Sequence, residues 1–247
     1  MGTYCKWALA LVVPLLLAGC LLIPGKFESQ LRLMNDGTYS FTYNGEMQLA
    51  EGDNSAMSPS SGMSEDKTAE SREQDDHQKN AAMGAIFGGA MPGDDEGLKK
   101  FAAQLAKYDG WNKVEYKGDN LFEVEYSISG KFDQMFAFPT IPGATMQFPF
   151  VQIIRRSGGE LEVLTPAMAG PGGLAGAMGP VPMGGSSSEP KTQPIDGTFT
   201  IVTDGTVLSN NTEDGLSLSG STKSMRWKVD GTSGPDGSPR AIIKLTR

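Results

Sequence analysis

Apolar and polar residues alternate along much of this chain, which is the pattern of strands that bury one face. Residues 27–34 and 39–49 alternate in this way, and the Asn-Asp-Gly turn signal at 35–37 joins them into a predicted hairpin. Shorter segments repeat the alternation, and we predict further strands over 113–117, 121–129, 148–155, 160–165, 195–203, 224–229 and 240–245.

One segment has the periodicity of a helix instead. Between Gly97 and Lys107 the apolar residues recur at intervals of three and four, which places them on one stripe of a helix. Asp94 or Asp95 can cap the first turn, and Asp109-Gly110 supplies a stop signal. The sequence therefore predicts one main helix.

Two low-complexity insertions interrupt the pattern. Residues 50–96 are rich in Ser, Gly, Asp, Glu and Met, and residues 166–194 are rich in Gly, Ala, Met and Pro. They divide a single domain into an N-terminal hairpin (20–49), a helix with central strands (97–165) and C-terminal strands (195–247). We expect an α+β fold, in which a twisted, mostly antiparallel β-sheet packs on the one main helix.

The N-terminal region carries the most specific motif of the chain. Residues 7–17 are almost wholly apolar and follow a short segment with one lysine, but a bilayer span needs ~20 apolar residues. Residues 1–19 are therefore predicted to be a signal peptide. The tetrad Leu17-Ala18-Gly19-Cys20 resembles the lipobox of bacterial lipoproteins. The resemblance implies that the sulfur of Cys20 receives a diacylglycerol and that the chain is cut before this residue. The alternative is an ordinary signal peptide or a membrane anchor that happens to contain Cys20.

Acylation would determine where the protein works. Several acyl chains would hold Cys20 on a membrane, since each buried methylene contributes ~0.8 kcal/mol. Leu21, not Asp, follows the cysteine, and the sorting of lipoproteins in two-membrane bacteria then favours the outer membrane, with the domain facing the periplasm. Residues 21–25 form no polar tether, so we expect the domain to lie within about 20 Å of the acyl group.

The net charge and the cysteine content limit the classes of partner and cofactor that we expect. The chain has 21 Lys and Arg against 29 Asp and Glu, a net charge of −8, which argues against a nucleic-acid partner. Cys5 would leave with the signal peptide and Cys20 would be lipidated. No thiol would then remain for a disulfide, a redox centre or a metal.

No arrangement of residues identifies a reaction. The one histidine, His77, lies in a low-complexity segment without a fixed partner. The clusters Asp75-Asp76 and Asp94-Asp95-Glu96 lack the alternating spacing of calcium loops, and Glu123 and Glu125 share the exposed face of a strand. We predict no catalytic residue, no cofactor and no metal site, so the protein is not expected to be an enzyme. A glycosidase that uses two carboxylates is the enzymatic alternative.

Methionines and aromatic residues are the remaining features. Thioethers suit copper(I), but the methionine spacing is irregular, and flexible apolar contact surface is the commoner use. The segment 132–150 carries Pro139, Pro142 and Pro149, which predicts edge strands because proline cannot donate to a central ladder. Its apolar side chains predict core or the wall of an apolar cavity. The residues concerned are Met57, Met63, Met83, Met91, Met168, Met178 and Met183, and Ile86, Phe87, Phe132, Phe136, Phe138, Ile141, Phe148 and Phe150.

A second resemblance concerns the body of the chain. Pro24-Gly25-Lys26-Phe27, the turn at Asp36-Gly37 into Tyr39-Ser40-Phe41, and the strand around Trp227 look like the layout of LppM-type bacterial lipoproteins. That group is similar in fold to START-like and Bet v 1-like lipid-binding domains, so the resemblance implies a lipid or glycolipid cavity. This chain departs from the pattern in its two insertions and in its polar last residues, where relatives often carry a membrane segment.

These features together predict a membrane-anchored, non-catalytic lipoprotein of the cell envelope that binds a lipid, another hydrophobic ligand or a partner protein. The alternative is a structural or assembly lipoprotein that acts through surface contacts. The expected partners are the membrane, through lipidated Cys20, and a lipid or an envelope protein. No nucleic-acid partner is expected.

Overall fold

The computed structural model describes residues 21–50, 93–133, 135–144, 149–169, 193–232 and 237–246. These residues form twelve β-strands, one α-helix and short 3-10 turns. In chain order the elements are β1 (Leu21–Leu33), β2 (Thr38–Ala50), α1 (Asp95–Leu105), β3 (Trp111–Gly118), β4 (Leu121–Lys131), β5 (Phe136–Phe138), β6 (Val151–Arg155), β7 (Glu160–Leu164), β8 (Asp196–Thr203), β9 (Thr206–Asn210), β10 (Ser217–Ser219), β11 (Thr222–Val229) and β12 (Arg240–Lys244).

The strands form two sheets that pack face to face. The large sheet has the strand order β10-β11-β8-β1-β2-β4-β3, and the small sheet has the order β5-β6-β7-β12-β9. Neighbouring strands are antiparallel except for β1 and β8, which are parallel. Rings of β2 contact rings of the small sheet, with Phe41 5.2 Å from Phe136 between ring centroids. The described part of the chain is therefore a β-sandwich.

The predicted α+β class is wrong. Strands hold 57% of the described residues and helices 12%, and the core lies between two sheets rather than between one sheet and a helix. Seven strands at ~4.8 Å spacing make an inner face roughly 30 Å wide, whereas a helix is only ~10 Å across. Helix α1 cannot cover that face alone, so the segment predicted as edge pieces builds part of a second covering sheet.

The core is organised around Phe138 of β5, whose side chain is fully buried. Its ring centroid lies 4.9 Å from that of Phe41 on β2 and 4.6 Å from that of Tyr126 on β4. It also contacts the rings of Tyr43, Trp111 and Phe150. One side chain of the small sheet thus packs against three strands of the large one, and each such ring pair adds about 0.5–1.5 kcal/mol beyond area burial.

Turn chemistry joins β1 to β2 and ties the two sheets at one end. Gly37 has φ 81°, and the carboxylate of Asp36 accepts the backbone N–H of Thr38 at 2.8 Å, as the Asn-Asp-Gly signal predicts. The backbone N–H of Asn35 donates to the carboxylate of Asp204 at 2.7 Å. The side-chain oxygen of Asn35 accepts the backbone N–H of Thr246 at 2.9 Å. These bonds link the β1–β2 turn to the β8–β9 turn and to the residues after β12.

Helix α1 closes one side of the large sheet. Asp94 caps it by accepting the backbone N–H of Gly97 at 2.9 Å, so the helix begins two residues before the predicted start. Its buried stripe packs toward β3 and β4, with Phe101 5.9 Å from Phe122 between ring centroids. The hydroxyl of Tyr116 on β3 donates to the carboxylate of Asp95 at 2.5 Å. The buried residues of the stripe are Leu98, Phe101, Ala102 and Leu105.

A bulge between β1 and β2 makes one glycine obligatory. The pairing register shifts between Pro24 and Phe27, opposite Gly45. Gly45 has φ 152°, and a Cβ there would overlap the carbonyl oxygen of Lys26 and the backbone of Phe27. No side chain fits in that space unless the strands separate.

We predict that Gly45→Ala lowers the free energy of unfolding by about 2–4 kcal/mol, because the new methyl group strains both central strands. Urea unfolding of the chain from residue 20, carrying Cys20→Ala, measures the change. Gly143→Ala is the control, because Gly143 has φ 83° but open space around its Cβ position. It should cost only about 1 kcal/mol. Equal losses in the two variants would contradict the proposed clash.

Candidate functional site

The first described residue lies directly beside the predicted acylation site. Strand β1 begins at Leu21, the residue after Cys20. Residues 21–24 pair with β2, and from Lys26 onward β1 also pairs with β8. Leu22 and Ile23 are 6% and 4% exposed. The start of β1 is therefore a buried segment at the end of the large sheet that pairs with β2. We call this end of the sandwich the anchor end.

Polar contacts fasten the chain at the anchor end. The backbone oxygen of Asn120 accepts the N–H of Leu49 at 2.9 Å, and its side-chain oxygen accepts the N–H of Gly93 at 2.9 Å. The side-chain oxygen of Gln48 accepts the N–H of Gln193 at 2.6 Å. Leu49, just before the insertion 50–96, and Gly93, near its end, therefore meet here, and Gln193, near the end of the loop 166–194, binds at the same end.

The residues of the predicted lipidation motif lie outside the described residues. These are Leu17, Ala18, Gly19 and Cys20, and acylation of Cys20 therefore stays a prediction. His77 and the Asp75-Asp76 pair also lie outside, as do most of the methionines considered above. Of those methionines, Met168 is described, and its side chain is buried in the core.

The aromatic segment belongs to the core where it is described. Phe132, Phe136 and Ile141 are buried, and Phe150 is fully buried. Phe148, Ile86 and Phe87 lie outside the described residues. Of the two alternatives for this segment, packed core or cavity wall, the described part forms packed core.

The acidic residues noted in the sequence have structural partners. Asp94 caps α1, and Asp95 accepts from Tyr116. Glu123 on the outer face of the large sheet accepts from Lys113 at 2.7 Å and lies 2.8 Å from the ammonium of Lys117. These bonds and charges lower the pKa of Glu123 to about 2. The two lysines make Glu123 part of an exposed ion network on β3 and β4.

Two further properties bear on what the described residues can do. They contain no group of three or more His, Cys, Asp or Glu side chains placed to hold a metal ion. Within the same residues, no helix has the length and apolar character needed to cross a membrane.

The outer face of the large sheet is polar. One row across its strands reads Arg226, Thr200, Gln30, Thr42 and Ser127, which pair in that order. A groove of about 350 Å³ opens beside it, lined by Phe27, Asp196, Gly197, Thr198, Asp214, Arg226 and Lys228. Charged and polar side chains dominate this groove, which makes it unsuitable for an acyl chain.

The edge strands of both sheets are short, bulged or charged. Strands β5 and β10 have three residues each, and β9 carries a bulge where it pairs with β12. Strand β3 shifts register near both ends and carries Lys113, Glu115 and Lys117 along its length. Short, bulged and charged edges resist the addition of a further strand. The faces and turns of the sandwich are therefore more accessible for recognition than its edges.

Sequence reasoning missed one charged group on the outer face of the small sheet. Glu162 lies on β7, the middle strand, and its side chain is only 7% exposed. One carboxylate oxygen accepts from Nε of Arg156 at 2.8 Å. The other accepts from Nε of Arg240 at 2.9 Å and also from its Nη2. The signal available in the sequence was a lone Glu in the apolar segment 161–164.

Comparisons with known proteins identify no family for the chain. No protein-family model matches it, and no curated protein is similar to it in sequence. One similar solved structure is the NMR structure of the folded domain of the LppM protein from Mycobacterium tuberculosis. The two chains share 14% identity, with 93% of this chain and 92% of that chain covered, and a TM-score of 0.31. Chains this loosely superimposed support no argument about fold or function.

We predict that Glu123→Gln reduces stability at pH 7 and that this loss disappears as the pH falls toward 2. The depressed pKa means that the ion network stabilises the fold above the usual pKa of 4.5 and is lost as the pH falls through about 2. Urea midpoints at pH 7, 4 and 2 measure the effect, which should shrink in 0.5 M salt because the network is exposed.

Glu125→Gln is the matched control, since Glu125 lies on the same face of β4 and has no ion pair among the described residues. Its midpoint should follow that of the parent protein at every pH. A loss in Glu123→Gln that stays constant from pH 7 to pH 2 would contradict the electrostatic explanation.

Proposed function

We propose that this protein is a lipid-anchored, non-catalytic component of a bacterial cell envelope that works through contacts of its folded surface. One observation carries the proposal. The lipobox-like tetrad ends at Cys20, and the next residue, Leu21, is the first residue of the central strand β1. An acyl group on Cys20 would thus be attached to a rigid sheet without a flexible tether.

The direction of β1 gives the domain an orientation. The strand has 13 residues, which at ~3.3 Å each span about 43 Å. With Cys20 at the bilayer, the anchor end would face the membrane. The turn that contains Asp36 would lie at the opposite end of the strand from Cys20. The outer faces of both sheets would stay accessible to a partner.

The packing of the interior supports surface contacts over a ligand held inside. Phe41, Tyr43, Phe138 and Phe150 fill the space between the described strands, and all four are fully buried. A lipid held inside would have to displace these rings. Met135 and Leu218 are 70% and 72% exposed, which adds apolar contact points outside. Binding of a partner protein is therefore the favoured form of the proposal, and binding of a lipid in an interior cavity is the second.

The proposed location is the outer membrane of a two-membrane envelope, with the domain in the periplasm. The support is Leu21 in the position where Asp would favour retention in the inner membrane. Attachment through several acyl chains would be stable, because each buried methylene contributes ~0.8 kcal/mol.

We predict that Cys20→Ala abolishes incorporation of radiolabelled palmitate and moves the protein from the membrane fraction to the aqueous fraction. The reason is that the thiol of Cys20 is the proposed attachment point. Labelling of cells followed by fractionation measures both effects. Cys5→Ala is the control, because Cys5 lies in the predicted signal peptide, and it should label and fractionate as the parent protein does. Parent protein without label would refute the anchor.

We further predict that a photo-crosslinker at Thr42, in the middle of the polar outer face, captures a protein neighbour in cells. A crosslinker at Asp36, on the turn away from the anchor end, tests whether the contact is specific to that face. Native mass spectrometry of the Cys20→Ala protein should show its bare mass. A co-purified lipid, with no adduct from Thr42, would favour interior binding instead.

A further inference from the structure

The group formed by Arg156, Glu162 and Arg240 carries more positive charge than Glu162 requires. Either arginine alone would neutralise the carboxylate. Moreover, a buried ion group is often no more stabilising than apolar residues of similar volume, because its charges lose their hydration. With the second arginine, the three side chains together carry a net charge of +1, although the carboxylate of Glu162 is almost completely buried. Folding by itself does not call for this arrangement.

Both guanidinium groups keep N–H donors that face solvent. A guanidinium has five N–H donors in a rigid fork. Arg156 uses the donor on Nε, and Arg240 uses donors on Nε and Nη2. The two side chains are 43% and 55% exposed, and their remaining donors have no partner among the described residues. Glu162 therefore binds one edge of each guanidinium group and leaves the other edges without a partner among the described residues.

The small sheet is positively charged in an acidic protein. Its strands and the turn between β6 and β7 carry more basic than acidic residues, whereas the whole chain has a net charge of −8. An anion is therefore attracted to this face more than to the rest of the molecule. On the outer face the basic residues are Arg156, Arg240 and Lys244 and the acidic ones are Glu160 and Glu162, whereas Arg155 lies on the opposite face and donates to the carbonyl oxygen of Phe132.

The surroundings of the arginines are aliphatic. Ile154 on β6 and Ile242 on β12 pair directly with Glu162 on its two sides, and Leu164 lies two residues further along the same face. All three side chains are half-buried. Water is partly excluded from such a surface, so a charge–charge interaction there is stronger than in open solvent.

We propose that Arg156 and Arg240 form a binding site for an oxyanion of the phosphate class, with Glu162 as the positioning residue. Two guanidinium groups can each bind a different pair of oxygens of a tetrahedral phosphate, whereas a carboxylate has only two oxygens to share. The neighbouring aliphatic side chains would accept an apolar part of the same ligand. This site does not depend on acylation of Cys20, so failure of the lipid-anchor proposal would leave the oxyanion-site proposal unaffected, and the reverse also holds.

The test is a titration of the full-length protein in neutral detergent with inorganic phosphate, followed by NMR of the arginine Nε–H signals. We expect saturable shifts of the Arg156 and Arg240 signals with a dissociation constant of about 1–10 mM. Acetate should bind at least fivefold more weakly. Arg156→Gln should weaken phosphate binding at least fivefold. Arg226→Gln is the control, since Arg226 lies on the large sheet, and it should leave binding unchanged.

Glu162→Gln separates a binding site from a purely structural ion group. The amide oxygen still accepts from one arginine, its NH2 group releases the other, and the negative charge beside the bound anion is removed. Phosphate should therefore bind at least threefold more tightly. If Arg156→Gln does not fold, the double variant Arg156→Gln with Glu162→Gln, which leaves no unpaired carboxylate, replaces it. The proposal is overturned if phosphate causes no saturable shift up to 50 mM. It is also overturned if the Arg156 and Arg226 variants bind alike, or if Glu162→Gln binds more weakly than the parent protein.

A second pair of probes distinguishes the source of the phosphate. Dihexanoyl phosphatidic acid that binds at least tenfold more tightly than glycerol 3-phosphate identifies a lipid headgroup, because the acyl chains then contact Ile154, Leu164 and Ile242. Equal binding of the two probes identifies a free phosphate ester. Either result supports the site, and binding of neither probe overturns it.

Discussion

The structure depends on the burial of one apolar face of the large sheet. Aromatic side chains of β2 and β4 project from that face, and rings such as Phe41 and Tyr126 lose contact with water only when a second layer covers them. Phe138 supplies the centre of that layer by packing against both. Because α1 is too narrow to cover the face, the small sheet forms, and the molecule becomes a sandwich.

The same central strands connect the core to the proposed membrane anchor. Strand β1 begins one residue after Cys20 and pairs with β2 from its first residue and with β8 from Lys26, so an acyl group on Cys20 would be coupled to the orientation of the core. The bulge at Gly45 lets β1 and β2 stay paired close to the anchor end. Asn120 and Gln48 then hold the returning chain there.

The two outer faces differ in character because their charges are organised differently. On the large sheet, Glu123 is shared by lysines that are well exposed, so the network is solvated and contributes little specificity. On the small sheet, Glu162 is almost dry and both its partners are arginines. Charge-assisted hydrogen bonds from this buried carboxylate fix both guanidinium groups, so the geometry of the group is more restricted than that of the lysine network.

Local sequence determined the secondary-structure elements, their turns and the proposed lipidation signal. The alternation in 27–49 and the turn at Asp36 predicted the first hairpin. The apolar periodicity predicted α1, with a cap at Asp94 or Asp95 and a start two residues later than observed. Cys20 lies in a motif read from adjacent residues. These signals are short-range, because period and turn chemistry act between neighbours along the chain. The tertiary structure alone decided that there are two sheets, since width and coverage are properties of strands brought together from distant segments. It also decided that Glu162, with Arg240 far along the chain, forms one charged group, because strand pairing rather than sequence proximity places these side chains on one face.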